Sequence, residues 1–313
     1  MYKANEYNIL IIFFNNLDRF KAVFEMVKKA RPANLFLYQD GPRNESDFKN
    51  IAEIRDYIND SIDWECNVYK KYQEKNYGCD PSEFISQKWA FSIVDKCIVL
   101  EDDDVPSMSF FRFCWDLLIK YENDERISII CGMNNLDTFN LESEKDYFFT
   151  SSGCIWGWAS WKRVIDSWDP NYLWLDDPEK LKAIRPYFSN TKKYNNFIKL
   201  SKKRRESGIE YYETILGVSQ MLNHQLNIVP TRNLISNIGI IGGVHTTNNS
   251  NTIPKKMRSL YYKKTFEIQF PLRHPDTIYD NLDYKRKVQS TITLNLLEKV
   301  ILKLKIIFLI GKK

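Results

Sequence analysis

Apolar runs and amphipathic segments alternate along the first half of the chain. Short runs rich in Ile, Leu, Val and Phe, bounded by polar residues, predict buried strands. The strands are predicted over residues 8–14, 35–38, 65–69, 97–100 and 127–131. Between them, apolar residues recur at helical spacing and predict amphipathic helices. The helices are predicted from about Asp18, over residues 45–58, from Asp80 to about Asp95, and from Phe110.

The stretch CDPSEF, residues 79–84, has the composition of a helix start. We predict Asp80 as its N-cap, Pro81 as its first helical residue and Glu83 as the reciprocal member of a capping box. This helix would lead directly into the strand over residues 97–100.

Strands and helices that alternate at this spacing form right-handed crossover units on a parallel sheet. We therefore predict an α/β fold with a mostly parallel central sheet flanked by helices. In such sheets, ligands bind beyond the carboxyl ends of the strands. Residues 14–16, 38–41 and 101–104 lie at three such ends, and we expect them to converge on one crevice.

Composition restricts the function only weakly. The chain has 313 residues, of which 43% are hydrophobic, so it can bury a sizeable core. The formal net charge is +5, but 40 residues are acidic, and this balance does not indicate nucleic acid. The run KKRR at residues 202–205 is interpreted as a solvated helix face in preference to a nucleic-acid patch.

The cysteines and the N-terminal residues indicate the compartment. Six cysteines lie far apart with no CxxC pair, which gives no support for a zinc site. Residues 1–10 lack the pattern of a signal peptide, so we expect reduced thiols and a cytoplasmic location.

Four consecutive acids, Glu101, Asp102, Asp103 and Asp104, follow the strand over residues 97–100. Carboxylates this close repel one another and raise one another's pKa. One interpretation is a solvated turn whose acids complement the dipole of the next helix. We favour a site for Mg²⁺ or Mn²⁺, because a cation turns the repulsion into shared attraction. Mg²⁺ is usually shared with substrate phosphates, which indicates a phosphorylated substrate.

Several phosphate-binding classes do not fit the motifs. The first strand is followed by NNLD, residues 15–18, without GxGxxG, and the chain has no Walker loop. The glycine-rich loop of a sugar nucleotidyltransferase is missing there too, and Pro106 occupies the Thr/Val position of an aspartyl phosphatase motif. A nucleotide-sugar glycosyltransferase remains. The alternatives are a metal-dependent nucleotidyl or phosphoryl transferase, and a non-catalytic protein of the same fold that binds carbohydrate or membrane.

Six stretches resemble one enzyme family. They are LYQDG (37–41), SQKWAF (86–91), IVLEDDDVPSMSFF (98–111), SSGCIWGWASWKR (151–163), PTRNLISNIG (230–239) and VHTT (244–247). Together they resemble GT-A-fold glycosyltransferases of the N-acetylglucosaminyltransferase I type and their bacterial family 2-like relatives. The resemblance implies a Rossmann-like GT-A domain over residues 1–250, with a donor half (1–135), an acceptor half (136–250) and a C-terminal extension (251–313).

The resemblance also implies residue roles. Asp103, with Glu101 and His245, would hold the metal, and Asp104 would be a solvated neighbour. Residues assigned to the nucleotide sugar are Asn15, Asn16, Asp40, Gly41, Asn76, Gly78, Ser86 and Asp102. Those assigned to the acceptor and sugar pocket are Trp156, Gly157, Trp158 and Glu210. Glu213 would be the base that activates the acceptor, with Glu210 as its rival.

The implied activity is metal-dependent, inverting transfer of a sugar, from UDP-sugar or a similar donor, to a glycan or lipid-linked acceptor in cell-surface polysaccharide synthesis. The chain departs from the family at two donor contacts, with Asn16 in place of an arginine and Ser86 in place of a histidine. The donor sugar and its base therefore stay open.

The last predicted element is a basic amphipathic helix over residues 290–311. It is too charged to span a bilayer. Two interpretations stand: a helix that lies in the membrane interface, which would make the enzyme peripheral on the inner face, and a helix that docks on the domain.

Overall fold

The computed structural model describes residues 6–141, 144–240 and 253–293. The strands are β1 (Asn8–Phe13), β2 (Asn34–Gln39), β3 (Asn67–Tyr72), β4 (Lys96–Glu101), β5 (Asp104–Pro106), β6 (Ile127–Cys131), β7 (Tyr147–Thr150), β8 (Trp158–Trp161), β9 (Leu226–Pro230) and β10 (Ile235–Asn237). The helices are α1 (Leu17–Ala30), α2 (Glu45–Ser61), α3 (Cys79–Phe91), α4 (Met108–Lys120), α5 (Lys162–Asp166), α6 (Pro178–Ile184), α7 (Thr191–Ser207), α8 (Tyr212–Leu222), α9 (Lys255–Arg258) and α10 (Leu282–Ile292). Two short 3₁₀ turns lie at Leu173–Asp176 and Arg185–Tyr187.

Within the described residues, the central sheet has eight strands in the order β3-β2-β1-β4-β8-β6-β9-β7. The pairs that link β1 to β2 and β4, β2 to β3, and β6 to β9 are parallel, whereas β8 and β7 run antiparallel to their neighbours. The predicted fold class is confirmed, since the molecule is α/β with a mostly parallel central sheet flanked by helices. β5 and β10 form a separate antiparallel ribbon.

The position of β1 determines where a ligand can bind. β1 pairs with β2 on one side and with β4 on the other, so that Ile12 is opposite both Tyr38 and Glu101. The strand order reverses direction between β1 and β4, which makes this the topological switch point of the sheet. The helix after β1 contacts β5 and α4, the elements that follow β4, so the ends of β1 and β4 lie close together.

Local sequence explains α1 well. The side chain of Asn16 caps it by accepting a hydrogen bond from the Arg19 amide at 3.0 Å. Phe20, Val23, Phe24 and Val27 on its apolar face are buried, as the spacing predicts, and Leu17 is half-buried. The helix ends at Ala30, and the next residue, Arg31, is in the left-handed region directly before Pro32.

The start of α3 differs from the prediction. The helix begins at Cys79 after Gly78, whose φ is +86°, and no side chain caps it. Asp80 is therefore not the N-cap, and Glu83 is not part of a capping box. The amide of Gly78 donates to the Asp40 carboxylate at 3.0 Å, and this tertiary contact fixes the turn before the helix. Glu83 is instead buried, and its carboxylate accepts a bond from Gln87.

The described part of the C-terminal extension packs on the main sheet. Tyr284 of α10 is buried between Phe139 and Phe148, and its hydroxyl accepts a bond from the Asn135 amide at 3.1 Å. The Glu267 carboxylate accepts bonds from the first amides of α4. Most of the helix predicted over residues 290–311 lies outside the described residues. Across the described ranges, every helix is too short or too polar to cross a bilayer.

Candidate active site

A cavity of about 280 Å³ lies at the carboxyl ends of β1, β2 and β4. It is close to the lower end of the range for small-molecule sites. Predicted site residues that line it are Asn15, Asn16, Asp40, Asn76, Gly78, Glu101, Asp102, Asp103 and Trp156. The predicted convergence of three strand ends on one crevice is confirmed.

Other predicted residues lie behind the wall of this cavity. Ser86 is buried, and its hydroxyl donates to the Glu83 carbonyl at 3.0 Å. Trp158 is a core residue of β8 with 1% of its surface exposed, so it is not available as a sugar platform. Gly157 has a φ of +60° and packs on Ile235. Gly41 lies against the backbone of Lys75, where a Cβ would be 2.5 Å from the carbonyl carbon. These four positions support the cavity and do not line it.

The three acids after β4 accept hydrogen bonds from three partners, Phe14, Asn237 and Gly157. Asp102 Oδ2 accepts from the Phe14 amide at 3.3 Å. Asp103 Oδ1 accepts from Asn237 Nδ2 at 2.8 Å. The expectation that Asp104 is solvated is wrong. It is fully buried, and its carboxylate accepts from Asn237 Nδ2 at 3.0 Å and from the Gly157 amide at 2.8 Å. Asp104 therefore ties the acidic loop to β10 and to the tryptophan-rich segment.

Burial and mutual repulsion perturb this cluster strongly. Burial, followed by the charge of Asp103, raises the pKa of Asp102 to about 7. Burial also raises the pKa values of Glu83, Glu101, Asp103 and Asp104, with neighbouring carboxylates adding to the rise at Glu83, Glu101 and Asp104. The positive charge of Arg19 opposes the rise at Asp102 and Asp103. The cavity thus concentrates negative charge that a cation would stabilise.

The donor set fits a metal shared with a ligand better than a closed metal site. Among the described residues, no group of three His, Cys, Asp or Glu side chains is placed to hold an ion between them. Mg²⁺ commonly takes only one or two protein carboxylates and completes its shell with phosphates and water. Asp103, with Glu101 lining the same cavity, meets this requirement. The third predicted ligand, His245, lies outside the described residues.

Gly239 sets the position of the Asp103 carboxylate. A Cβ on Gly239 would overlap Asp103 Oδ2 and would approach Cγ to 2.7 Å. We expect Gly239→Ala to displace this carboxylate and to weaken Mn²⁺-dependent UDP binding by about 10–100-fold, as measured by calorimetry. Gly217→Ala is the matched control, since a Cβ there meets nothing within 4 Å. Equal affinity in both variants would contradict the assignment of Asp103.

Two arginines in the cavity were not found from the sequence. Arg43 donates to Asp47 through Nε at 2.7 Å and through Nη2 at 3.0 Å, and its guanidinium lies 4.7 Å from the centre of the Phe14 ring. Asn15 also donates to Asp47. The guanidinium of Arg43 beside Asp47 lowers the pKa of that carboxyl. Arg19 lies in the first turn of α1, three residues after Asn16, on the side that faces the acids.

Asp40 has a mainly structural role in this conformation. Its two oxygens accept bonds from the amides of Gly41, Tyr77 and Gly78 and from the Asn76 side chain, at 2.8–3.0 Å. A carboxylate has about four lone-pair sites, and all are used here. Asp40 therefore holds the Asn76–Gly78 loop against the end of β2, and contact with a nucleobase would require one of these bonds to exchange.

The residues predicted for the acceptor side, Glu210 and Glu213, lie at or just before the start of α8. Glu213 is exposed in the first turn of this helix, outside the cavity lining. Burial, and then the charges of Glu83, Glu101, Asp80 and Glu213, raise the pKa of the Cys79 thiol, and Cys79 lines the cavity. Glu213 is thus near enough to the cavity rim for its charge to act there. Glu210 precedes the helix and is half-buried. On the same rim, Tyr261 of the C-terminal extension packs against Trp156 with ring centres 5.0 Å apart.

No protein-family model matches the sequence, and no curated protein matches it. Solved structures give partial matches of the backbone. Apo UDP-glucose pyrophosphorylase has a TM-score of 0.37 at 9% identity and covers 73% of this chain and 93% of its own. The 4-diphosphocytidyl-2C-methyl-D-erythritol synthase of Anaerococcus prevotii has 0.31 at 10%, over 51% and 74%. The inositol-1-phosphate CTP transferase of T. maritima has 0.32 at 10%, over 52% and 74%. Likeness at this level carries no information about activity.

Proposed function

We propose that the protein is a metal-dependent glycosyltransferase that moves a sugar from a nucleoside-diphosphate sugar, with UDP as the preferred nucleotide, to a glycan or lipid-linked acceptor with inversion. The observation that supports this most directly is the charge pattern of one cavity. Asp102 and Asp103 face Arg19 there, and Arg43 lies on another wall, at the switch point of the sheet. A diphosphate bridged to the acids by a divalent cation satisfies both sets of charges.

Arg43 and Arg19 are placed to bind different parts of the donor. Arg43 is fixed by two bonds to Asp47, and it covers the Phe14 ring with one face of its guanidinium. Its side chain is 57% exposed, so it can still meet a nucleobase or a phosphate oxygen. Arg19 lies close enough to affect the titration of Asp102 and Asp103, and it would meet the diphosphate next to the cation.

The chemistry requires charge stabilisation on one side of the sugar and a base on the other. A divalent ion held by Asp103 would act as a Lewis acid on the leaving diphosphate. Glu213 would take the proton from the acceptor hydroxyl as that oxygen attacks the anomeric carbon. The transition state has oxocarbenium character, as in glycoside hydrolysis. Trp156 and Tyr261, which pack together on the cavity rim, would shield the reacting centre from water.

Product analysis tests the reaction class directly. Purified protein is incubated with a panel of nucleotide sugars or, in parallel, with nucleoside triphosphates and sugar phosphates. Each incubation is done with and without Mn²⁺, and thermal stability and products are measured. A donor that binds should raise the melting temperature only when metal is present. Release of nucleoside diphosphate supports the proposal, whereas release of pyrophosphate from a nucleoside triphosphate and a sugar phosphate would show nucleotidyl transfer. No thermal shift with any donor would overturn the proposal.

Arg43 provides a separate test of the donor site. We expect Arg43→Ala to raise KM for the donor about tenfold while kcat stays within about twofold, because Arg43 binds substrate and transition state alike. Arg43→Lys should recover little of the lost donor affinity, since an ammonium group cannot keep both bonds to Asp47. Arg286→Ala, on α10 with a side chain that is 77% exposed, is the control. An unchanged KM in Arg43→Ala would remove Arg43 from the donor site.

A further inference from the structure

The outer face of α7 carries a set of lysines that the reaction does not explain. Within the described part of the chain, this helix has Ser201 as its single fully buried residue. Lys192, Lys199 and Lys203 follow one another at helical spacing along its exposed side. Lys193 and Lys202 flank them, and all five are exposed. Glu206 is the one acid in the helix.

The lysines and arginines of α7 have different environments. Arg204 donates to Thr214 and lies 4.4 Å from the centre of the Tyr211 ring, and Arg205 pairs with Asp176 at 2.7 Å. Both arginines thus hold α7 to the protein. Among the described residues, none of the five lysines is within ion-pair distance of a carboxylate, in contrast to Arg205. Over the ranges that the structure describes, the outward charge of α7 is therefore mainly that of unpaired ammonium groups, with the exposed Glu206 as the single carboxylate of the helix.

The geometry points to a docking surface for an anionic lipid bilayer on this lysine face, defined as Lys192, Lys193, Lys199, Lys202 and Lys203. Ammonium groups on flexible stems suit diffuse attraction to a charged plane, whereas directional recognition of a phosphate favours the arginine fork. Exposed apolar side chains lie beside the lysines: Leu200 on α7 is 45% exposed, and Ile209 just after it is 40% exposed. Lysine stems can extend along such a surface while their charges reach the headgroups.

The attraction would be electrostatic and not insertional. α7 turns its aromatic side against the protein, where Phe197 stacks on Trp174 with centres 6.0 Å apart. That side is not available to enter the acyl region, so binding should weaken as salt screens the headgroup charge. A helix inserted by its apolar face would resist salt.

The position of α7 connects this surface to the acceptor, a step that rests on the proposed function. Arg204 bridges from α7 to Thr214, the residue after Glu213. Glu213 therefore lies on an element adjacent to the helix that carries the lysine face. A lipid-linked glycan in a bilayer docked there would have to extend past α7 to reach Glu213.

The test is co-sedimentation of the full chain with vesicles. One set contains equal parts phosphatidylglycerol and phosphatidylcholine, and the other contains phosphatidylcholine alone. Each lysine near an anionic surface contributes about 1 kcal/mol, so the variant Lys192→Gln/Lys199→Gln/Lys203→Gln should bind the anionic vesicles about a hundredfold more weakly. The control Lys29→Gln/Lys49→Gln/Lys120→Gln removes equal charge from exposed positions on α1, α2 and α4.

Any one of four outcomes would overturn the inference. If the α7 variant binds anionic vesicles as tightly as the wild type, or if both variants lose binding equally, α7 is not the docking surface. Equal wild-type binding to both vesicle types, or binding that resists salt, would place the contact elsewhere in the chain. The measurement involves no turnover, and the α7 variant should keep wild-type kcat on a short soluble acceptor. Failure of the glycosyltransferase proposal would therefore appear in the turnover assay and not in the vesicle-binding measurement.

Discussion

Asp103→Asn should abolish metal-dependent turnover while leaving the protein folded. The amide keeps the shape of the side chain but removes the charge that would hold the cation against the donor diphosphate. Loss of one preorganised electrostatic contact at a transition state typically lowers kcat by roughly 10²–10³-fold. The loss should persist at saturating donor and at raised Mn²⁺, since it concerns the transition state as well as binding. Steady-state release of nucleoside diphosphate measures it.

The same substitution should make the metal-free protein more stable. Folding raises the pKa of Asp102 to about 7 from an unfolded value near 3.9. The folded state then binds more protons than the unfolded state between these two values, so stability falls as the pH rises from about 4 to about 7. The charge of Asp103 is the second cause of that rise, after burial. Asp103→Asn should therefore reduce the loss of stability between about pH 4 and about pH 7. In the wild type, Mn²⁺ should increase stability more at pH 8 than at pH 5.

Asp56→Asn is the control for both measurements, because Asp56 is exposed on α2. It should leave turnover and the pH dependence of melting unchanged. Wild-type turnover by Asp103→Asn would show that the cation is held elsewhere or is not needed. A lower melting temperature for metal-free Asp103→Asn at pH 7 would show that the carboxylate is stabilising without an ion, contrary to the burial argument.

The sequence predicted those parts of the fold in which local pattern and tertiary packing agree. Residues 9–13 of β1 and residues 97–100 of β4 are apolar and buried because both faces of the sheet are covered, and α1 has its buried residues at helical spacing. Adjacent parallel strands bring their carboxyl ends to one edge, so the convergence of Asn16, Asp40 and Asp103 followed from topology alone. The start of α3 was missed because Asp40, 38 residues before Gly78, fixes it through a tertiary hydrogen bond.

The site was predicted less completely than the fold because its chemistry depends on which side chains are buried. A run of four acids in the sequence does not show which of them will be buried. Asp104 resembles a solvated neighbour in the sequence, yet it is the most enclosed acid of the run because Gly157 and Asn237 close over it. In the sequence, Glu83 has the position of a capping-box residue, but in the structure its side chain lines the cavity. Arg43 has no motif around it, and only its pairing with Asp47 brings it to the cavity wall. Arg19 had a detectable signal, since it lies in the first turn of a helix that is capped by a predicted site residue, Asn16.

Glu213→Gln should separate sugar transfer from donor binding. If Glu213 deprotonates the acceptor hydroxyl, the amide variant loses general-base catalysis, which is worth roughly 10²–10⁴-fold in kcat. Donor binding should be unaffected, because Glu213 is exposed at the start of α8, outside the lining of the cavity. The Mn²⁺-dependent thermal shift caused by the donor should therefore equal that of the wild type. Glu213→Asp, which keeps the carboxylate but shortens its reach, should retain intermediate activity.

Glu210→Gln distinguishes the base from its neighbour. Glu210 lies just before the start of α8, whereas Glu213 lies within its first turn, where a carboxylate also complements the helix dipole. With Glu213 as the base, Glu210→Gln should keep kcat within about threefold, since Glu210 would then take no part in the proton transfer. A large loss of kcat in Glu210→Gln, together with wild-type kcat in Glu213→Gln, would identify Glu210 as the base in place of Glu213. Normal kcat in both single variants would remove the start of α8 from the chemistry and leave the buried acids of the cavity as the source of the base.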